Sequence, residues 1–168
     1  TLTVDEVAGE FEIAARIPMQ RPHECTRNAE ASTLGHGISG LAEHFAKQRT
    51  DIVLVLGDRI EAFAAAAAAA VSGIRVAHMH GGDRAEGIAD ESLRHPIYKL
   101  AHLHLPATET SANGLIAMGE DPRRVHVVGS PAMDEVAAAS PLSDCECEEL
   151  GSPRIVFLLH PVGDEESV

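Results

Sequence analysis

The sequence predicts an α/β fold built on a doubly wound parallel sheet, and three observations carry that prediction. Asp51-Ile52-Val53-Leu54-Val55-Leu56 is a short aliphatic run that ends at Gly57-Asp58, the pattern of a strand buried on both faces. Ile60 to Ser72 is rich in alanine, the best helix former, and Gly73 is a natural stop for a helix there. Ile74 to Met79 then reads as a second strand. Strand, helix and strand within about 30 residues make a βαβ unit, whose strands run parallel.

The alternation continues downstream. Asp90 to Ala101 predicts a helix with Asp90 as N-cap. Pro96 falls six residues into it and should kink it. His102 to Pro106 predicts a short strand ended by proline. Thr108 to Met118 predicts a helix closed by Gly119, Val125 to Val128 a strand, and Met133 to Ala139 a short helix. Ser140 to Pro153 is polar, acidic and bounded by proline, so it reads as a linker. Arg154 to His160 begins what reads as a fresh sheet. Upstream, Glu30 to Gln48 has the pattern of an amphipathic helix, weakened by Gly35, Gly37 and Gly40. In doubly wound sheets ligands bind beyond the carboxyl ends of the strands. Gly57-Asp58, His80-Gly81-Gly82-Asp83, Pro106, Gly129-Ser130 and His160 all fall at such ends and should face one crevice.

The 168 residues suffice to bury a core without disulfides or metal staples. Lys plus Arg is 13 and Asp plus Glu is 26, a net charge of −13. That balance argues against a reader of nucleic-acid phosphates and against an anionic membrane surface. A small anionic ligand remains compatible, because backbone amides can hold one locally. The longest apolar stretch, Ala62 to Val71, falls well short of the roughly 20 residues a bilayer needs. Thr1 to Gln20 lacks a basic start followed by an apolar run. Three cysteines, Cys25, Cys145 and Cys147, do not make a disulfide framework, so a reducing, cytoplasmic setting is expected.

Several motifs are decoys. Gly35-His36-Gly37-Ile38-Ser39-Gly40 matches G-x-G-x-x-G, but the polar stretch before it is no strand, so no dinucleotide loop is expected. The pairs His78/His80 and His102/His104 have zinc-ligand spacing. Without a compact third and fourth ligand they read as pocket-lining or half-buried histidines with backbone partners, and Cys145-Glu146-Cys147 reads as incidental thiols. Asp58 can serve as a helix N-cap or as a carboxylate in the crevice. His80-Gly81-Gly82-Asp83 is more informative. Its two glycines let the backbone approach a ligand and present successive amides to an anion. Asp83, Glu86, Asp90 and Glu91 place four carboxylates within nine residues. Paired carboxylates at strand ends are what proton abstraction and return require.

An ordered set of segments resembles the hydrolysing UDP-N-acetylglucosamine 2-epimerases of sialic-acid-type biosynthesis. The set comprises Leu56 to Glu61, Ala77 to Asp83, Asp90 to His95, Lys99 to His104, Ala107 to Glu109, Gly119 to Val125, Val128 to Pro131 and Leu159 to Val162. The resemblance implies a glycosyltransferase-B-type fold of two Rossmann-like domains with the substrate between them. Residues 1–139 would be the N-terminal domain without its first strand, 140–153 the linker and 154–168 the start of the second domain. It implies conversion of UDP-N-acetylglucosamine and water to N-acetylmannosamine and UDP, without metal or cofactor. The C2 proton and UDP leave to give a glycal-like intermediate, and water adds back with C2 inverted. On this resemblance Asp58, Asp83 and Asp90 are the acid–base carboxylates and His160 stands beside the diphosphate. Arg59, His80, Gly81, Gly82, Glu91, Arg94, His95 and Ser130 are implied in substrate binding. A related UDP-2-acetamido sugar, such as a 2,4-diacetamido-trideoxy hexose, is an alternative substrate, and a non-catalytic nucleotide-sugar-binding module is a third reading. The family is usually dimeric or tetrameric. The sequence departs from the pattern at Asp83, where the family usually has glutamate, and at Gly163, where it usually has threonine. The uridine-binding residues are expected beyond Val168 and the first strand before Thr1.

Overall fold

The structure, a computed structural model, describes residues 3–19, 27–83, 91–153, 155 and 157. Its centre is a parallel sheet of β1 (Ile52–Leu56), β2 (Arg75–Met79) and β3 (Leu103–Leu105) in that spatial order. Register places Val55, His78 and His104 side by side across the three strands. The expected strand at Val125 to Val128 is reduced to a parallel bridge between Val125 and His104. Two further backbone bonds continue it, from His126 N to His104 O and from Val128 N to Pro106 O. The segment therefore extends the sheet without completing a regular ladder.

Most of the helices follow the sequence pattern. α1 (Thr3–Val7) is a single turn, and α2 (Arg27–Gln48) is the longest element. α3 (Ile60–Val71) is the alanine helix, closed at Gly73 with φ +74°. α4 (Glu91–Leu100) runs through Pro96, and α5 (Glu109–Ala117) is capped by Thr108, whose hydroxyl accepts from Ser111 N. α6 (Ala132–Ala138) follows Pro131. α7 (Asp144–Glu149) lies inside the stretch expected to be linker. A reciprocal capping box between Ser143 and Glu146 explains it, because it satisfies the first amides of a helix that buries nothing. Asp90, the expected cap of α4, lies outside the described residues.

The glycines of α2 have a packing reason. A Cβ at Gly40 would sit 2.7 Å from Ile17 Cγ2, and one at Gly37 would meet the end of Met19. The G-x-G-x-x-G stretch is thus helix interior, shaped to let the chain before it cross closely. α3 packs against α2, α4, β1 and β2. Phe45, Val53, Val55, Val76, Ile97, Ala101 and the α3 alanines form the core on that side of the sheet. β1 is not buried on both faces as its composition suggests. Val53 and Val55 are buried, whereas Ile52, Leu54 and Leu56 are 52%, 59% and 62% exposed. α3 packs on one face of this strand, and the side chains on the other are more than half exposed.

Candidate functional site

The carboxyl ends of β1 and β2 bring Asp58 and Asp83 into one neighbourhood, and Arg94 of α4 ties them together. Arg94 donates from Nε to Asp58 Oδ2 at 2.7 Å, and its Nη2 makes a second, closer contact with the same oxygen. Its Nη1 donates to the backbone carbonyl of Asp83 at 2.8 Å. The Arg94 side chain is only 10% exposed and that of Asp58 25%. A guanidinium so enclosed needs its donors satisfied, and its rigid fork supplies the geometry to join two loops at once.

Asp58 is held from behind as well. Gly57 has φ +71°, a conformation glycine adopts without strain. Its carbonyl accepts a hydrogen bond from His78 Nε2 at 2.7 Å. His78 is fully buried, packs on the Tyr98 ring at 5.4 Å between centroids, and fixes the turn that presents Asp58. The glycines after β2 serve this close packing. A Cβ on Gly81 would lie 2.8 Å from His78 Nδ1 and 3.1 Å from Tyr98 Cε1. Gly82 has φ +89° and lies against the backbone of Ser111.

Asp83 Oδ1 accepts a short hydrogen bond from Ser111 Oγ, and Ser111 Oγ lies 2.7 Å from Thr108 Oγ1. His80 Nε2 is 2.9 Å from Ser130 Oγ, and His80 Nδ1 is 3.7 Å from Asp83 Oδ2. A cleft of about 580 Å³ opens beside these groups, lined by Met79, Thr108, Ser130 and Asp134 among others. The structure thus brings together Asp58, His80, Gly81, Gly82, Asp83, Arg94 and Ser130. Arg59 stands apart, its side chain 81% exposed and 3.7 Å from Glu61. His95 is exposed and touches the Tyr98 ring. Glu91 opens α4, with its side chain outside the described set, and Asp90 and His160 lie outside the described residues. Sequence reasoning missed Ser111, Thr108 and Tyr98. The signal for the first two was a threonine just past a strand end with serine three positions on, which is N-cap spacing.

The H-x-H pairs do not converge. His102 Nδ1 accepts from Val76 N at 3.3 Å, and His104 Nε2 lies 3.2 Å from Glu120 Oε2. Lys99 holds the other Glu120 oxygen at 2.5 Å. Each histidine therefore has its own separate partner. Among the described residues no three His, Cys, Asp or Glu side chains gather as a metal cluster. No helix among them is long and apolar enough to cross a membrane.

Burial holds the His78 imidazole below its ordinary pKa against the opposing Gly57 hydrogen bond. Burial likewise lowers His104 against the Glu120 carboxylate. The unfolded chain takes up protons on these rings near pH 6.5, while the folded chain resists doing so until lower pH. Stability is therefore expected to be level above about pH 6.5 and to fall as pH drops below it. Thermal melts at pH 7.5 and 5.5 check this, and a melting temperature that rises on acidification contradicts it.

Residues 2–168 match the family model described as UDP-N-acetylglucosamine 2-epimerase. The chain is 43% identical over 135 residues to a UDP-N,N'-diacetylbacillosamine 2-epimerase (hydrolyzing) from Legionella pneumophila, covering 80% of this chain and 35% of that one. It is 37% identical over 138 residues to a UDP-N-acetylglucosamine 2-epimerase from Neisseria meningitidis, covering 80% and 36%. The chain thus spans about a third of the length of these relatives. A crystal structure of the Neisseria meningitidis UDP-GlcNAc 2-epimerase bound to UDP-GlcNAc superposes with a TM-score of 0.72 at 26% identity, over 80% of this chain and 37% of that one. The α/β fold of glycosyltransferase-B type expected from the sequence is the fold of these structures. The match runs through every element that carries Asp58, Asp83, Arg94 and Ser130, and on it the chain belongs to the UDP-N-acetylglucosamine 2-epimerase family.

Proposed function

We propose that the protein carrying this sequence is a hydrolysing 2-epimerase of a UDP-2-acetamido sugar, converting UDP-N-acetylglucosamine and water to N-acetylmannosamine and UDP. The observation that supports this reading is the Arg94 bridge. It ties together two carboxyl-bearing loops at the ends of adjacent parallel strands. Epimerisation at C2 needs a group to remove a proton and another to return one to the opposite face. Asp58, Asp83 and Asp90 are proposed for that work, and His160 for the departing diphosphate. The Gly81-Gly82 amides, Arg94 and Ser130 would hold the sugar.

The 43% identity to a diacetylbacillosamine enzyme, against 37% to an N-acetylglucosamine enzyme, favours a second reading with a UDP-2,4-diacetamido sugar as substrate. The test is UDP release by the longest natural chain that carries this sequence, offered each sugar nucleotide. UDP and N-acetylmannosamine from UDP-N-acetylglucosamine are expected. Release from the diacetamido sugar alone transfers the assignment to the second reading, and release from neither overturns both.

A further inference from the structure

His80 occupies a backbone conformation that costs stability. Its φ is +60°, in the left-handed region that favours glycine, although glycines follow directly at 81 and 82. A non-glycine residue held there costs about 1–2 kcal/mol, and such strain clusters at functional sites. The ring lies between one side chain three residues on and another fifty residues away. Asp83 Oδ2 lies 3.7 Å from Nδ1, and Ser130 Oγ lies 2.9 Å from Nε2. The His80 backbone N–H is itself fixed to Leu105 O at 3.1 Å.

Asp83 is already committed on its other side. Its Oδ1 is taken by Ser111, and its carbonyl by Arg94. Its remaining oxygen, Oδ2, faces the His80 ring. An imidazole with a carboxylate behind it and a hydroxyl in front is a proton-transfer arrangement. The carboxylate selects the tautomer and stabilises the imidazolium. At 3.7 Å the two groups are at ion-pair distance, longer than a hydrogen bond. The His80 side chain is 29% exposed, and its partner Ser130 lines the cleft.

We infer that His80 is the catalytic proton carrier of this site, with Asp83 as the residue that positions it. The inference rests on the epimerase reading and refines its Asp83 arm: Asp83 serves the proton transfer through His80 and not by its own contact with the sugar. When sugar binds, the C2 hydrogen takes the place of Ser130 Oγ in front of Nε2. The C2–H bond breaks and its proton passes to Nε2. The freed pair becomes the C1–C2 double bond, and the C1–O bond breaks with its pair leaving on UDP. Water then adds across C1–C2, with C2 protonated from the opposite face by an acid other than His80. That acid regains its proton from the attacking water, and His80 discharges its own to solvent.

Two variants in the longest natural chain test this. His80→Gln keeps a hydrogen-bonding group toward Ser130 but cannot carry a proton, and is expected to lower kcat by about 10²–10⁴-fold with KM within threefold. His80→Gly removes the backbone strain, so it should melt no lower than the parent. It should lose turnover to the same degree and recover at least tenfold with added imidazole. A His80→Gln enzyme with more than a third of parental kcat overturns the inference. So does an inactive His80→Gly enzyme that imidazole leaves inactive, since His80 would then only fasten two loops. A parental enzyme that releases no UDP from either sugar fails differently, because it defeats the epimerase reading before any variant is compared.

Discussion

Asp58→Asn is expected to lower turnover by about 10²–10⁴-fold, the usual contribution of a positioned acid or base. The same substitution should destabilise the fold, and the second effect follows from geometry alone. Arg94 places two of its donors on one Asp58 oxygen, and its side chain is 10% exposed. Asparagine keeps an acceptor but removes the charge. Breaking a fully buried ion pair costs roughly 3–5 kcal/mol; Asp58 is a quarter exposed, so about 2–3 kcal/mol is expected. For a chain of this size that corresponds to roughly 5–10 °C in melting temperature. Replacing both partners, Asp58→Asn with Arg94→Met, should recover part of the stability and none of the turnover. Chemical denaturation and UDP-release kinetics on the four proteins of this cycle provide the check. Parental turnover in Asp58→Asn contradicts the catalytic assignment, and unchanged stability contradicts the enclosed pair.

Gly82→Ala is expected to be the more damaging change to the fold. Gly82 has φ +89°, where a side chain costs about 1–2 kcal/mol. A Cβ would also meet the Ser111 carbonyl oxygen, with the Ser111 carbonyl carbon 2.8 Å away and Leu115 Cγ 3.1 Å away. The obstacle is backbone at the start of a capped helix, which cannot swing aside as a flexible side chain does. Overpacking of this kind adds roughly 1–3 kcal/mol, for a total of about 2–5 kcal/mol. Because Ser111 also holds Asp83, the shift should lower turnover as well as stability. Gly129→Ala is the control. It has φ +81° but no atom within 4 Å of the added Cβ, so only the conformational cost should appear. Equal destabilisation by the two substitutions would show that the contact with Ser111 carries no weight.

The parallel βαβ core was legible because its signals are local. Aliphatic runs, an alanine helix and glycine stops name β1, α3 and β2 within one or two residues of where they lie. The exposed face of β1 was not legible, because composition reports that Ile52, Leu54 and Leu56 are apolar and not what lies over them. α7 was hidden by its acidity, and only the capping box at Ser143 and Glu146 marked it. In the site, Asp58 and Asp83 were readable from their places at strand ends. The Arg94 clamp depends on how α4 docks against the sheet, and that is tertiary information. His80 was readable as a crevice residue, but its turned backbone was not, since nothing in His80-Gly81-Gly82 says that the histidine takes the left-handed conformation.

The alanine helix also has a genetic consequence. Ala64, Ala66, Ala68 and Ala69 of α3 are 0–1% exposed, pressed between the sheet and its neighbouring helices. An alanine codon changes by one base to valine, threonine, serine, proline, glycine, aspartate or glutamate. At these four positions proline and glycine weaken the helix, valine and threonine demand volume that is absent, and serine or a carboxylate brings a polar group to a place without water. Nearly every first step away from alanine is therefore harmful. The helix behind Asp58 is a stretch where drift is arrested by volume, while the exposed positions of α7 are free to wander.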